Sequence, residues 1–206
     1  GAEGAEALAG SLQSNDNLTS LSLSDNSIGD AGAEALGTSL QSNHTLTSLN
    51  LCSNLIGDVG AKALATCLQT NRTLTSLDLL RNRIGDEGAK ALATCLQTNR
   101  TLMNLELHFN SIGDEGAKAL ATCLRTNHTL TSLDLEGNRI WAEGERGAGQ
   151  MFANQPHSDE SGYLSSLLYN HIGPEGGEAL AKCLQINHTL ISLNLGANRI
   201  GQRHWC

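Results

Sequence analysis

Histidine, cysteine, clustered carboxylates and glycine-rich turns are the raw material of catalytic, metal and phosphate sites, and this chain carries all four. Its seven His include no H-E-x-x-H motif. His44, His128 and His188 share one periodic position with Arg72 and Arg100, which marks an exposed turn rather than a ligand set. Six Cys lack C-x-x-C spacing, so neither a zinc site nor a disulfide framework is expected. Cys67, Cys95, Cys123 and Cys183 share another phase, on the flank of a helical face, and read as buried thiols in a reducing compartment. Gly85-Asp86-Glu87-Gly88 precedes a helical run, the place for a phosphate cradle. It lacks the G-K-[ST] tail and G-x-G-x-x-G spacing and recurs in most units, so it reads as a helix-start turn. Asn17, Asn43, Asn71, Asn99, Asn127 and Asn187 stand in N-x-T. As glycosylation sites they would crowd a glycan onto nearly every turn, so they read as turn residues of an intracellular protein.

A row of acids remains. Ser22, Asn50, Asp78, Glu106, Asp134 and Asn194 occupy one phase of successive units. On neighbouring strands about 5 Å apart, three carboxylates then stack side by side. Like charges set opposite one another destabilise a sheet, so the row calls for a basic partner. A divalent cation on Asp78, Glu106 and Asp134 is an alternative. No catalytic residue, cofactor or metal ligand is assigned. The positions after the row vary most: Leu80 and Arg81, His108 and Phe109, Glu136 and Gly137, Leu168 and Tyr169. Variation on an invariant frame, with an exposed Phe and Leu beside acids, is what a recognition surface needs. The candidate protein-binding residues are therefore Asp78, Leu80, Arg81, Glu106, His108, Phe109, Asp134, Glu136 and Tyr169, set against the blander reading of a solvated acidic face.

The frame that must position these residues is a repeat. Residues 60–74 (GAKALATCLQTNRTL) recur letter for letter at 88–102, and Asn26, Asn54, Asn82, Asn110 and Asn138 fall 28 apart, as do Asn170 and Asn198. Ahead of these Asn runs L-x-x-L-x-L-x-x-N, as in Leu74, Leu77, Leu79 and Asn82. Leu77-Asp78-Leu79 alternates as a short half-buried strand. Asp86 is expected to cap the helical run that follows it. Ala89, Leu92, Ala93 and Leu96 recur at i, i+3, i+4 and i+7, one buried helical face. Asn99 is expected to end the helix in a left-handed conformation, and Pro174 falls in a first helical turn, where its missing N–H costs nothing. One unit cannot bury its leucines alone, so units must stack. Strands stack about 4.8 Å apart and helices roughly 10 Å, so the array must curve with its strands inside. Each Asn of the ladder is expected to satisfy backbone groups of the neighbouring turn.

These residues resemble the ribonuclease-inhibitor-like class of leucine-rich repeats, in which 28-residue units pair a strand with a full helix. The resemblance implies an α/β, curved leucine-rich-repeat solenoid, a horseshoe with parallel strands on the concave face and helices on the convex face. The unit LTSLDLxxNxIGDEGAKALATCLQTNRT is most similar to the leucine-rich tails of NACHT-type intracellular immune receptors.

The repeat breaks at 146–163 (RGAGQMFANQPHSDESGY), within an irregular segment spanning 145–169. Writing its codons and dropping the first base permits EALAKCLQTNHTLTSLD, a run of 17 residues nearly identical to 178–194 (EALAKCLQINHTLISLN). The segment thus reads as a frameshifted half-repeat. Gly147 and Gly149 each weaken a helix by about 1 kcal/mol relative to Ala, so a poorly formed helix is expected there. Residues 201–206 also leave the pattern, and the array, a single domain over 1–206, is expected to be a piece of a longer one, with uncapped ends through which it self-associates.

Composition bounds the rest. A net charge of −8 disfavours nucleic acid and anionic lipid as partners, and no apolar run approaches the roughly 18–20 residues of a membrane span. The expectation is a cytoplasmic, non-enzymatic interaction module that grips a protein ligand with a basic surface on its concave face, as the sensing tail of a NACHT-type receptor. A GTPase-activating protein similar to the Ran activator, or a decaying repeat copy without function, are the alternatives.

Overall fold

Each unit carries a strand of only three residues, a Leu between two polar neighbours. In the computed structural model, which describes residues 1–138, 172–198 and 200, those strands are β1 (Ser20–Ser22), β2 (Ser48–Asn50), β3 (Ser76–Asp78), β4 (Asn104–Glu106), β5 (Ser132–Asp134) and β6 (Ser192–Asn194). They alternate with helices α1 (Ala2–Leu12), α2 (Gly29–Leu40), α3 (Asp58–Leu68), α4 (Asp86–Leu96), α5 (Asp114–Leu124) and α6 (Pro174–Leu184). The strands form one parallel sheet in the order β1-β2-β3-β4-β5-β6, and each helix packs against the next. This is the expected leucine-rich-repeat solenoid, with strands on the concave and helices on the convex face.

The core is the seam between the two layers. Leu77 from the strand, Leu79 just after it, Ile84 from the turn, and Ala89, Leu92, Ala93 and Leu96 from α4 are all buried, and the neighbouring units repeat the set. Each large side chain so buried contributes about 1.5–3 kcal/mol. Pro174 is the first residue of α6, as expected.

Three lateral ladders tie the units together. In the first, Asn54 Nδ2 donates to Leu23 O of the preceding unit (2.8 Å) while its Oδ1 accepts the N–H groups of Asn26 (3.0 Å) and Ile28 (3.3 Å). Asn82, Asn110, Asn138 and Asn198 repeat the donation to Leu51, Leu79, Leu107 and Leu135. The expected role of this Asn holds.

The second ladder corrects a reading. Asn99 is not left-handed. Its Nδ2 donates to Leu68 O at the end of the preceding helix (2.8 Å), and its Oδ1 accepts Thr101 N–H and Leu102 N–H. Asn43, Asn71, Asn127 and Asn187 do the same toward Leu12, Leu40, Leu96 and Leu124. An orphan helix-end carbonyl is thus satisfied from the next unit rather than by a backbone turn. Left-handed backbone appears instead just after each strand, at Asp25, Ser53, Arg81, Phe109, Gly137 and Ala197.

The third ladder corrects the capping assignment. Asp86 makes no side-chain cap on α4, whose N-cap is Gly85. Its Oδ1 accepts Gly113 N–H (2.8 Å) and Gly116 N–H (2.7 Å) at the start of α5. Asp30 and Asp58 cap α3 and α4 alike, and Asp114 bonds Gly176 of α6. The glycine is required: a Cβ at Gly116 would lie 2.8 Å from that Asp86 oxygen and 2.7 Å from Ile112 Cγ2.

Partners in adjacent strands are 28 residues apart from β1 to β5, but β6 pairs with β5 across 60 residues, Ser132 with Ser192. All three ladders close at that junction. The irregular segment 145–169, Tyr169 and residues 201–206 lie outside the described residues.

Candidate interaction surface on the concave face

The strand residue between the two inward leucines points away from the core, so its side chains form a stripe. Register sets Asn50 beside Asp78, Asp78 beside Glu106, Glu106 beside Asp134 and Asp134 beside Asn194. The three expected carboxylates therefore do stand on consecutive strands. Short side chains here fold back on the chain. Asn50, Asp78, Asp134 and Asn194 each accept, through Oδ1, the N–H two residues on, at 2.8, 2.9, 2.8 and 3.0 Å. This turn starts the bend into the left-handed residue that follows.

Glu106 has one more methylene, and no such bond forms. Its Oε2 lies 3.5 Å from His108 Nδ1, which lies 4.0 Å from Asp134 Oδ2. The like-charged row is thus interrupted by an imidazole inserted between two of its members. His108 Nδ1 is shut off from solvent yet has no hydrogen-bond partner. Asp134 Oδ2 and Glu136 Oε2 both accept from Asn194 Nδ2, at 3.0 and 2.9 Å. Asp78 is not among the groups that converge on His108, so the cation set weighed from the sequence changes: His108 stands where Asp78 was expected.

The variable residues line the same stripe. Arg81 is exposed, with its guanidinium 5.6 Å from the Phe109 ring centre, and the rings of Phe109 and His108 are 5.7 Å apart. Leu80 and Phe109, expected to be exposed, are half-buried. Positive φ at Arg81 (51°) and Phe109 (53°) turns both out of the strand direction. Tyr169, the remaining member of the expected surface, lies outside the described residues.

Elsewhere the candidate chemistries give way to structure. The amides a phosphate would need at Gly85 and Gly88 are already bonded to Asp58. Cys67, Cys95, Cys123 and Cys183 are free and buried, each of the first three donating its S–H to the Leu three residues before. Burial pushes the thiols of Cys67, Cys95 and Cys123 up to about 12, which leaves them protonated and unreactive. The exposed Lys118 is raised by hydrogen bonds to Glu175 and Glu115, and Glu115 is correspondingly lowered. Such surface pairs contribute little to stability.

Comparison with known proteins agrees with this architecture. No curated protein sequence matches the chain significantly. Residues 126–144 and 166–181 match a family model described as a Leucine Rich repeat. A solved structure titled "Leiomodin-1 Actin-Binding Site 2 (ABS2)" superposes with a TM-score of 0.55 at 22% identity, covering 72% of this chain and 85% of that one. The tropomodulin C-terminal domain of Caenorhabditis elegans gives a TM-score of 0.57 at 11% identity, covering 89% and 93%. At such identities the likeness speaks for the fold alone. Residues 2–113, more than half of the chain, match the model of the TMOD/LMOD Leucine-rich domain, and the protein belongs to that family.

Proposed function

We propose that the chain is a protein-binding module that acts without catalysis and grips its partner on the concave face. The observation that carries this reading is the stripe of Asp78, Glu106, Asp134 and Glu136 flanked by Leu80, Arg81, His108 and Phe109: charge and half-buried apolar area together on a rigid frame. An acidic stripe favours a partner with a basic surface. The likeness to an actin-binding site of leiomodin-1 makes actin the first partner to test. Co-sedimentation of the chain with actin filaments, and titration of monomeric actin, should give binding that weakens at higher salt and on Asp78→Lys or Phe109→Ala, with the fold intact. Face variants that bind as the parent does, or a parent that binds no actin, would overturn the reading.

The 28-residue unit with an 11-residue helix supports the ribonuclease-inhibitor-like class. The narrower expectation of a NACHT-type receptor tail rests on unit sequence alone and gains no support from the family match. A Ran-activator-like activity would show as accelerated GTP hydrolysis. Buried free thiols and the buried N-x-T residues Asn43, Asn71, Asn99, Asn127 and Asn187 favour a reducing, cytoplasmic setting. Among the described residues no helix is long and apolar enough to cross a membrane. The frameshift reading of 145–169 predicts a continuous repeat in a full-length transcript.

A further inference from the structure

Two carboxylates and one imidazole converge at one point of the stripe. Glu106, His108 and Asp134 each offer a donor atom, and the three lie within 4.8 Å of one another. The Glu106–His108 separation of 3.5 Å is close to the ligand-to-ligand distance around a tetrahedral zinc ion, with metal–ligand bonds of about 2.0–2.2 Å. The His108–Asp134 separation of 4.0 Å needs only a small closure.

Two further features separate this cluster from an ordinary acidic patch. His108 Nδ1 is removed from solvent and unpartnered, a state that is costly for a polar nitrogen unless something occupies its lone pair. The carboxylate of Asp134 is already oriented, its Oδ1 by the Glu136 N–H and its Oδ2 by Asn194 Nδ2. Outer hydrogen bonds of that kind hold ligating side chains in place. We propose that Glu106, His108 and Asp134 form a binding site for a divalent transition metal of the zinc class. One nitrogen and two oxygens suit zinc, cobalt or manganese better than calcium, which takes oxygen donors, or magnesium, which keeps its waters. Three protein ligands leave a fourth position for water. The bound cation offsets two charges of the acidic row.

The test uses the full chain and the metals alone. Isothermal titration with Zn2+ should give one site lost at least tenfold in affinity in His108→Ala and Glu106→Gln, and unchanged in His44→Ala. Co2+ should give visible absorption bands that vanish in the same two variants. Glu106→Gln preserves the shape of the side chain, and circular dichroism checks that both variants stay folded. Absence of Zn2+ and Co2+ binding, or binding that survives both substitutions, would overturn the proposal and leave the trio an ion-pair cluster.

Discussion

Replacing Asp86 by Ala should damage not the helix that Asp86 begins but the one after it. Asp86 Oδ1 accepts two N–H groups, from Gly113 and Gly116, and both glycines are buried, so water cannot readily replace the lost acceptor. Losing an N-terminal capping oxygen costs about 0.5–2 kcal/mol, and a hydrogen bond to a charged acceptor contributes about 1.5–3. Asp86 is itself half-exposed, and its charge is partly screened. The two bonds together should therefore give about 2–3 kcal/mol, a fall in melting temperature of roughly 4–12 °C for a chain of this length. Asp86→Asn keeps an acceptor and loses the charge, and should cost about half as much. The informative assay is amide hydrogen exchange. At the start of α5 it should accelerate roughly 30- to 150-fold, while the start of α4, capped by Asp58, keeps its protection. Faster exchange confined to α4 would refute lateral capping and restore the cap within the unit.

Three other outcomes follow from the same frame. Leu79→Ala opens a cavity between stacked units and should cost about 2–5 kcal/mol in urea unfolding, far more than either face substitution. Cys67, Cys95 and Cys123 titrate near 9.0 when unfolded but near 12 when folded, so the folded state holds the proton more tightly. Their stabilising effect is complete below pH 9 and is lost as pH rises toward 12, by up to about 1.4 kcal/mol per pH unit for each thiol. Denaturant midpoints at pH 8 and 10.5 should converge when all three are replaced by Ala, and an unchanged alkaline slope would count against the thiols. Deleting residues 140–171 joins Asn138-Arg139 to Ile172-Gly173 and restores the 28-residue step between β5 and β6. Amide protection in α5 and α6 should survive, and its loss would contradict the pairing described.

Much of the fold was legible because a residue that recurs at one phase must do the same work in every unit. Leu77, Leu79, Ile84 and Asn82 could be placed for that reason. The same regularity hid the direction of the contacts. The sequence marks Asp86 and Gly88 as recurring together, but within a unit Asp86 looks like the cap of its own helix, and only the packing of α4 against α5 brings its oxygen to Gly116. Asn99 follows the same rule, since its partner, Leu68 O, belongs to the preceding unit. The convergence at His108 did leave a trace. Glu106 is the one acidic member of its row too long for the turn that Asp78 and Asp134 make, and a histidine follows it by two. Recognising the site from that trace required knowing that the row bends back on itself.

The junction of β5 with β6 shows what the array does and does not measure. Asp114 reaches Gly176, Asn187 reaches Leu124 and Asn198 reaches Leu135, with bonds spanning 60 or more residues where elsewhere they span about 30. A rung joins whichever in-phase unit lies beside it, however much chain intervenes. Heredity can therefore add or remove whole units by unequal crossing-over, and can garble the text between two intact ones, while the flanks still find each other. Length in such a lineage is free to drift, whereas phase is not.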